Sequence, residues 1–386
     1  MAHRPIRVMH IIARLNVGGA ALHVMLLAAE MRGAEFESSI VCGVVGADER
    51  EMRYVADARG VPVTSIPSLG REISLRRDLG TLLALYRLIR REQPDIVHTH
   101  TAKAGVVGRV AARLAGVRVV LHTFHGHVFS GYFSPRKTQL FLFLERACAR
   151  LTTRIIVISA EIQRQIVETY CVCSLQKTVV VPIGFDLQQF AATVRGGGGF
   201  RAANAIPEGA PLVGIVGRMV PIKNHALFLD AAQAVHAIRP DVRFVLIGAG
   251  ELRADIEAQV DRLGLRAVTT FVGWVTETAP VYAALNCLVL SSRNEGVPVS
   301  AIEAMAARVP VVSTDVGGVR DLINKPQFGY VVPPDDPSAL ARAILEALTT
   351  PLDLAAAQAH VMATYSAQTV AAAHGALYRE LLAHAG

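Results

Sequence analysis

Residues 287–304 of this chain read CLVLSSRNEGVPVSAIEA. The apolar start is typical of a short buried strand, and Pro298 is well tolerated in the first turn of a helix. We therefore predict a strand over Cys287–Ser291, a loop that carries Glu295, and a helix that carries Glu303. Open α/β sheets bind ligands at the edge where such strands end, so this stretch indicates a Rossmann-like domain with a ligand site.

Similar strand candidates alternate with helix-like segments throughout the chain. This alternation predicts two parallel α/β sheets, followed by Ala-rich helices near the C-terminus. The expected strands are Arg7–Ala13, Ser39–Val44, Ile96–Thr99, Val117–Thr123, Ile155–Ser159 and Val179–Ile183 in the first sheet, and Leu212–Gly217, Val242–Gly248, Val268–Val272, Cys287–Ser291 and Val309–Thr314 in the second.

The length of 386 residues suits two domains. Four consecutive glycines at 196–199 indicate a flexible junction, which we expect to act as a hinge. We predict an N-terminal Rossmann-like domain over residues 1–195, a linker over 196–210, a C-terminal Rossmann-like domain over 211–365 and a final helix over 366–386.

The composition is apolar, with 52% hydrophobic and 18% charged residues and a mean hydropathy of +0.37. Charges interrupt every long apolar stretch, for example at Arg14 and Arg109, so we expect no membrane-spanning helix. The first apolar run is broken at His10, which argues against an export signal. Five scattered cysteines without metal-ligand spacing suggest a reduced, cytoplasmic protein: Cys42, Cys148, Cys171, Cys173 and Cys287.

The positive charge is concentrated in the N-terminal half. Residues 1–195 hold 25 basic and 15 acidic residues, a balance of +10, whereas the remainder has a balance of −3. This asymmetry suggests an acidic partner, such as an anionic membrane surface or a diphosphate-linked acceptor, although it also serves solubility. The aromatic and basic stretch Phe129–Arg150 suits an interfacial helix or, alternatively, core packing. No nucleic-acid-binding module is recognised, so we expect no nucleic-acid partner.

In each expected sheet, one loop follows the first strand. The loop of the first sheet carries glycines, and the loop of the second carries cations. Gly18 and Gly19 precede a helix, where a ligand can approach the backbone and an anion can meet the helix N-terminus. A tight strand-to-helix turn is the alternative interpretation. Arg218 and Lys223 flank a turn after the strand ending at Gly217, so they could grip a diphosphate, or be ordinary surface charges.

The two glutamates of the opening stretch lie at different depths along one loop and helix. A carboxylate accepts hydrogen bonds from paired hydroxyls, so one could hold a ribose and the other a sugar ring. Two solvated glutamates on a helix are the alternative.

Histidines cluster near two expected strand ends, and polar substrate contacts, ordinary structural roles and a metal site are all conceivable for them. The spacing lacks an acidic or cysteine partner of a standard metal motif, so we expect no metal. The members are His98, His100, His122, His125 and His127.

Taken together, these residues resemble glycosyltransferase family 4, a retaining family with the GT-B fold. Glu295 and Glu303 match its E-x7-E motif, Gly217 through Asn224 matches its G-R-x(4)-K-[GN] segment, and Gly18-Gly19 matches its glycine loop. Residues 123–133, read as TFHGHVFSGYF, look like members that build bacterial surface polysaccharides.

The resemblance implies roles for individual residues. Arg218 and Lys223 would bind the diphosphate, Glu303 the ribose, and Glu295 the donor sugar, with His125 beside the reacting sugar. Gly18 and Gly19 would approach the donor phosphate and the acceptor. Three backbone groups, those of Gly296, Val297 and Val299, would assist Glu295, and the base would rest near Trp274 and Val275.

The resemblance also implies the architecture and the reaction. Two Rossmann-like domains would face each other across a cleft, with residues 366–386 crossing back to the N-terminal domain. We expect transfer of a sugar with retention from a nucleotide diphosphate donor, such as a UDP-sugar, to a lipid-linked or polysaccharide-precursor acceptor. We expect no cofactor and no metal, since no Asp-x-Asp motif is present. A cytoplasmic location, peripheral on the membrane, would suit this activity.

Two other classes of protein remain open at this point. A nucleotide-sugar epimerase shares the fold, but the E-x7-E segment fits transfer better. A non-catalytic nucleotide-sugar sensor is the second alternative.

Overall fold

The computed structural model describes residues 4–46, 49–70, 75–126, 135–194, 196 and 199–384. The chain forms two compact units. Unit 1 comprises residues 1–186 together with 365–386, and unit 2 comprises residues 187–364.

Unit 1 contains, among its described residues, a seven-stranded parallel sheet in the order β3-β2-β1-β4-β5-β6-β7. Its strands are β1 Ile6–Ile12, β2 Phe36–Cys42, β3 Val63–Ser65, β4 Ile96–His100, β5 Val119–Phe124, β6 Arg154–Val157 and β7 Thr178–Val180. Its helices are α1 Gly19–Glu30, α2 Arg53–Asp57, α3 Leu75–Glu92, α4 Ala102–Leu114, α5 Pro135–Leu151 and α6 Ala160–Arg164.

Unit 2 contains, within the part of the chain described, a six-stranded parallel sheet in the order β10-β9-β8-β11-β12-β13. Its strands are β8 Leu212–Val216, β9 Arg243–Ile247, β10 Thr269–Val272, β11 Cys287–Leu290, β12 Val311–Thr314 and β13 Tyr330–Val332. Its helices are α7 Gln188–Ala191, α8 Phe200–Ala203, α9 His225–Ile238, α10 Arg253–Arg262, α11 Ala279–Ala284, α12 Val299–Ala306, α13 Val319–Leu322, α14 Pro337–Thr349 and α15 Leu354–Tyr365.

The last helix, α16 Ala367–His384, packs against α1 and is therefore part of unit 1. Its residues Val370 and Tyr378 belong to the same buried cluster as Val8 of β1 and Ile96 of β4. The opposite face of this sheet is covered by α3 and α4, so both faces are buried. Burial on both faces explains why consecutive residues of β4 and β5 are all buried rather than alternately buried and exposed.

Strand order reverses at equivalent places in the two sheets. In unit 1 the reversal lies between β1 and β4, and in unit 2 between β8 and β11. Chain segments leave such neighbouring strands in opposite directions, which opens a crevice outside the carboxyl ends of the strands where ligands bind. Most predicted site residues lie on the segments that follow β1, β8 and β11 or on the helices after them, whereas His125 follows β5 and Val275 follows β10.

The predicted pair of Rossmann-like domains is confirmed. The chain passes between the units at residues 186–187 and 364–365 rather than within the expected linker 196–210. In that segment the Arg201 guanidinium donates hydrogen bonds to the carbonyl of Ala284 (2.7 Å) and the side chain of Asn286 (3.0 Å), both of unit 2. The four consecutive glycines predict a hinge in this segment. The hydrogen bonds of Arg201 instead join the segment to unit 2, and glycine content alone does not reveal such long-range contacts.

The described helices include none that is long and apolar enough to cross a lipid bilayer.

Candidate functional site

A short ion pair joins the two loops at the strand reversal of unit 2. Lys223 Nζ lies 2.6 Å from Glu295 Oε1, and the Ser292 hydroxyl donates a 2.6 Å hydrogen bond to the same oxygen. Lys223 follows β8 and Glu295 follows β11, which pair in the sheet. The resemblance implies that Lys223 binds the diphosphate and Glu295 the donor sugar, and the structure brings these two residues into direct contact.

The loop that carries Glu295 is held from two sides. The Thr314 hydroxyl donates to the carbonyl of Ser292 at 2.6 Å, and the backbone N–H of Gly318 donates to the carbonyl of Gly296 at 2.8 Å. Gly317 has a φ of +54°, and a Cβ there would collide with the carbonyl oxygen of Glu295. The carboxylate is therefore carried on a backbone that is fixed before any ligand arrives.

The loop after β8 is also fixed by close backbone packing. Gly248 has a φ of +133°, and a Cβ at this position would overlap the carbonyl oxygen of Gly217. The Ser291 hydroxyl lies 3.0 Å from the carbonyl oxygen of Lys223. Arg218 itself is exposed at the start of this loop, which suits a cation that meets an incoming anion.

Glu303 lies on α12 and has one partner that the sequence did not reveal. The Tyr282 hydroxyl donates a 2.7 Å hydrogen bond to Glu303 Oε2, and the Tyr282 ring is fully buried. Burial raises the pKa of Glu303 to about 7, and the hydrogen bond from Tyr282 offsets only part of this rise. The carboxyl group of Glu303 therefore holds its proton at a higher pH than an exposed glutamate does.

The remaining predicted residues of unit 2 lie at the start of α12 and after β10. Pro298 is the N-cap of α12, so the helix begins at Val299 and its first N–H groups are not used within the helix. Val297, between Gly296 and Pro298, is a buried residue. Val275 is half-buried after β10, next to Trp274, which is 43% exposed.

In unit 1 the glycine loop leads directly into α1. Gly18 is the N-cap and has extended backbone, and α1 begins at Gly19. A Cβ built on Gly18 would have no described heavy atom within 4 Å, so packing within the protein does not require glycine there. The open space is what close approach of a ligand to this backbone would use.

The predicted histidine cluster divides between the two faces of the unit 1 sheet. His98, His100 and His125 face α16 and α1, whereas His122 faces α4 and bonds to the Thr99 hydroxyl at 2.9 Å. His127 lies outside the described residues.

Three further histidines have their rings next to those of His98, His100 and His125. They are His10 on β1, His23 on α1 and His374 on α16. Neighbouring ring centroids in this group are 4.2–5.9 Å apart. We call these six residues the imidazole cluster: His10, His23, His98, His100, His125 and His374.

The imidazole cluster is electrically neutral at pH 7. Burial lowers the pKa of His10 and of His125 to about 3 and that of His374 to about 4, and it holds the pKa values of the other three well below 6.5. His10, His98 and His100 offer ligand nitrogens within 4.8 Å of one another, so they are the described group that could hold a metal ion. His98 and His100 belong to the histidine cluster expected from the sequence, whereas His10 lies on β1 outside it.

Paired Rossmann-like units with charged loops at one strand reversal are an arrangement that suits an enzyme acting on a nucleotide sugar, such as a glycosyltransferase. A family model described as Glycosyltransferase Family 4 matches residues 17–189, and one described as Glycosyl transferases group 1 matches residues 210–350. A relative from Escherichia coli, UDP-Gal:alpha-D-GlcNAc-diphosphoundecaprenol alpha-1,3-galactosyltransferase, is 31% identical over 315 residues, covering 81% of this chain and 80% of the relative. This chain belongs to glycosyltransferase family 4.

A further relative is similar in sequence, and a solved structure is similar in fold. The capsular polysaccharide biosynthesis glycosyltransferase CapM of Staphylococcus aureus is 25% identical over 313 residues, covering 78% of both chains. The crystal structure of Anabaena HepE in complex with UDP has a TM-score of 0.83 at 20% identity, covering 97% of this chain and all of that one. The resemblance drawn from the sequence motifs is thus confirmed, and the protein is a glycosyltransferase.

Proposed function

We propose that this protein transfers a hexose, with retention of configuration, from a UDP-sugar to a lipid-linked precursor of a bacterial surface polysaccharide. The Escherichia coli relative is named for UDP-galactose and for an acceptor linked to diphosphoundecaprenol, and HepE was crystallised with UDP. The observation that carries the proposal is the contact of Lys223 with Glu295 at the strand reversal of unit 2.

The charged groups of unit 2 suit a nucleotide diphosphate. Arg218 is exposed and Lys223 is partly exposed at the carboxyl end of β8, so both can donate hydrogen bonds to phosphate oxygens. Glu303 Oε2 already accepts from Tyr282, and its carboxyl group can accept further hydrogen bonds from ribose hydroxyls. The N–H groups of Gly296, Val297 and Val299 add donors for the sugar and phosphate. The base lies against the backbone of Val275.

Retention by a same-face route fits the surroundings of Glu295. A double displacement needs a carboxylate that is free to attack the anomeric carbon. Glu295 Oε1 accepts hydrogen bonds from Lys223 and Ser292, so this oxygen is engaged in holding the loop, and we assign the other oxygen to sugar hydroxyls. The departing phosphate oxygen takes the proton of the acceptor hydroxyl, and the new bond forms on the face that the phosphate leaves. His125 contacts the reacting sugar.

No metal ion is needed in this reaction. Arg218 and Lys223 are fixed cations that can neutralise the charge growing on the diphosphate as the bond to the sugar breaks, without reorganisation at the moment of reaction.

Unit 1 binds the acceptor and associates with anionic membranes. One face of α5 exposes Phe143 (65%) and Leu140 (57%) next to Arg136 and Arg150. Apolar residues flanked by arginines on one helix face suit the boundary between lipid headgroups and acyl chains. Leu142 is buried, so part of the stretch Phe129–Arg150 packs into the protein, as the alternative of core packing predicts. Residues 129–134 of this stretch lie outside the described residues.

Flotation with liposomes tests this association. Wild-type protein should float with anionic vesicles at low salt, and Phe143→Ser should reduce flotation more than Leu114→Ser, a similarly exposed leucine on α4. Absence of flotation by the wild type, or equal loss in both variants, would contradict a role for α5.

A donor panel tests the transfer reaction. The full chain is incubated with UDP-galactose, UDP-glucose and their N-acetyl forms, with and without a sugar linked to undecaprenyl diphosphate, and the products are identified by mass spectrometry and NMR. We expect a glycoside of retained configuration only when both substrates are present. An epimerised donor without acceptor would indicate the epimerase, and nucleotide binding without turnover would indicate the sensor.

A further inference from the structure

The two carboxyl oxygens of Glu303 have different surroundings. Oε2 accepts the 2.7 Å hydrogen bond from the Tyr282 hydroxyl. Oε1 has no hydrogen-bond partner among the described residues, and it is not one of the buried atoms that lack a partner, so it keeps accessible surface on this half-buried residue. The carboxyl group therefore holds one oxygen against the protein and offers the other to a ligand.

Packing fixes the Tyr282 side chain in place. Its ring is fully buried on α11, and the ring of Phe190 on α7 packs against it edge to face, with the two centroids 5.6 Å apart. Burial raises the pKa of the Tyr282 phenol well above its usual value of 10, so the hydroxyl keeps its proton. Tyr282 is thus a preorganised hydrogen-bond donor to Glu303.

This donor decides which oxygen of Glu303 a proton would occupy. Because Oε2 already receives the hydroxyl hydrogen of Tyr282, a proton taken up by the carboxyl group is directed to Oε1. Protonation would turn the accessible oxygen from an acceptor into a donor. The Tyr282 hydrogen bond favours the ionised form, since a hydrogen bond donated to a carboxylate is stronger than one donated to a neutral carboxyl group.

The elements around α12 supply few other groups that could act on Glu303. The elements that pack closely on α12 are α7, α11, β11 and β12. Their titratable side chains are those of Tyr282 and Cys287, and burial raises the pKa of the Cys287 thiol to about 12, so it is neutral. In the loop before α12, Lys223 is paired with Glu295. Tyr282 is therefore the side chain of these elements that stabilises the Glu303 carboxylate.

We propose that Tyr282 is a positioning residue for nucleotide binding, whose hydroxyl keeps the Glu303 carboxyl group ionised and directs Oε1 to accept hydrogen bonds from the ribose. This inference rests on the proposed contact of Glu303 with the ribose. The competing explanation is that the hydroxyl only joins α11 to α12. A joining role would affect the melting temperature but not the pH at which Glu303 ionises.

The ionisation of Glu303 is measured without a ligand by NMR of the full chain with ¹³C-labelled glutamate carboxyl groups, and Glu303→Gln identifies its signal. In the wild type Glu303 should titrate with a pKa of about 7. Tyr282→Phe keeps the ring and removes the donor, so it should raise this pKa by roughly one unit, the equivalent of one hydrogen bond to a charged group. An unchanged titration in a folded Tyr282→Phe variant would overturn the proposal.

Calorimetry of UDP binding tests the consequence for the nucleotide. At pH 7 Tyr282→Phe should bind UDP roughly fivefold more weakly than the wild type, because a smaller fraction of Glu303 is ionised. At pH 8.5 the carboxyl group is mostly ionised in both proteins, so their affinities should agree within about twofold. Equal weakening at both pH values would show that position or packing was lost rather than ionisation, and it would overturn the proposal.

Two control variants separate the hydroxyl from its surroundings. Tyr330→Phe removes another tyrosine hydroxyl of unit 2, one that hydrogen-bonds to Glu346, and should leave the titration of Glu303 unchanged. Phe190→Leu removes the ring that packs on Tyr282, so it should lower the melting temperature without raising the pKa of Glu303. An upward shift in either control as large as that in Tyr282→Phe would overturn the role of the hydroxyl.

The two measurements also distinguish this inference from the proposed function. A shifted titration in Tyr282→Phe together with no UDP binding by the wild type would contradict the proposed function. UDP binding by the wild type together with an unshifted titration in Tyr282→Phe would overturn only the role of Tyr282.

Discussion

The strand reversal of unit 1 is surrounded by neutral imidazoles, whereas that of unit 2 carries an ion pair and a carboxyl group. In unit 1 the six rings of the imidazole cluster hydrogen-bond chiefly to each other, to hydroxyls and to the backbone, and burial keeps them uncharged. In unit 2 Lys223 and Glu295 pair at 2.6 Å, and Glu303 has a pKa near 7. The same sheet topology thus carries two kinds of side chains at its strand reversal. Those of unit 1 are neutral and suit hydroxyl groups, whereas those of unit 2 are charged and suit a diphosphate.

The largest expected difference between the units is their response to acid. Histidines with a pKa of 6.5 when unfolded and well below that when folded make unfolding easier as the pH falls below 6.5, because only the unfolded chain takes up protons. From pH 6.5 to 5.5 this costs unit 1 about 1 kcal/mol for each imidazole that stays neutral in the folded state. The raised pKa of Glu303 acts in the opposite direction in unit 2, which gains stability as the pH falls from about 7 toward 4.5.

Hydrogen exchange at pH 7.5 and 5.5, corrected for intrinsic rates, measures this difference. Protection in β1, β4 and β5 should fall by several kcal/mol at the lower pH, and protection in β8 and β11 should change much less. Equal changes in both sheets would mean that the imidazole cluster is charged or solvated in the folded protein.

The cations of unit 2 should matter most for turnover. Arg218→Ala and Lys223→Ala each remove a preorganised donor from the diphosphate, so each should lower kcat by roughly 100- to 1000-fold, with a smaller effect on donor affinity. Arg262→Ala, which removes an exposed arginine on α10, is the control and should leave kcat unchanged. Similar kcat values in all three variants would argue that the loop after β8 does not contact the diphosphate.

Glu303 should affect binding of the nucleotide. Glu303→Ala removes hydrogen bonds to the ribose, worth on the order of 2 to 4 kcal/mol, so calorimetry should show weaker UDP binding by that amount. Since the carboxylate form accepts these bonds, wild-type affinity should rise as the pH increases through about 7. Glu303→Gln is the control for the titration of UDP itself, because a glutamine side chain does not titrate. Its UDP affinity should lack the additional rise with pH that the Glu303 carboxylate causes. Unchanged UDP affinity in a folded Glu303→Ala variant would contradict the assignment.

The sequence predicted most of the strands, including the short edge strand β7, but missed two other short strands at the sheet edges. β3 Val63–Ser65 and β13 Tyr330–Val332 have three residues each and are partly exposed, so they lack the continuous apolar run that marked the central strands. The helix carrying Glu303 begins one residue after Pro298, close to the expected start.

Local motifs located the charged residues of the site, but their partners come from distant parts of the chain. Tyr282 contacts Glu303 across 21 residues, and Tyr378 contacts His98 across 280. Neither partner belongs to a recognisable motif, because its role depends on packing rather than on spacing. Gly317 was equally hidden, since only the fold shows that its missing side chain makes room for the backbone of Glu295.

We infer that the cations of unit 2, and not a metal ion, neutralise the diphosphate. Sugar transfer measured in the presence of excess chelator tests this inference most directly. If the fixed cations Arg218 and Lys223 neutralise the leaving diphosphate, wild-type turnover should be unchanged by EDTA, and added Mg²⁺ or Mn²⁺ should not restore activity to Lys223→Ala. Loss of wild-type transfer in EDTA and its recovery on addition of Mg²⁺ or Mn²⁺ would contradict this account and would direct attention to the metal-binding capacity of His10, His98 and His100.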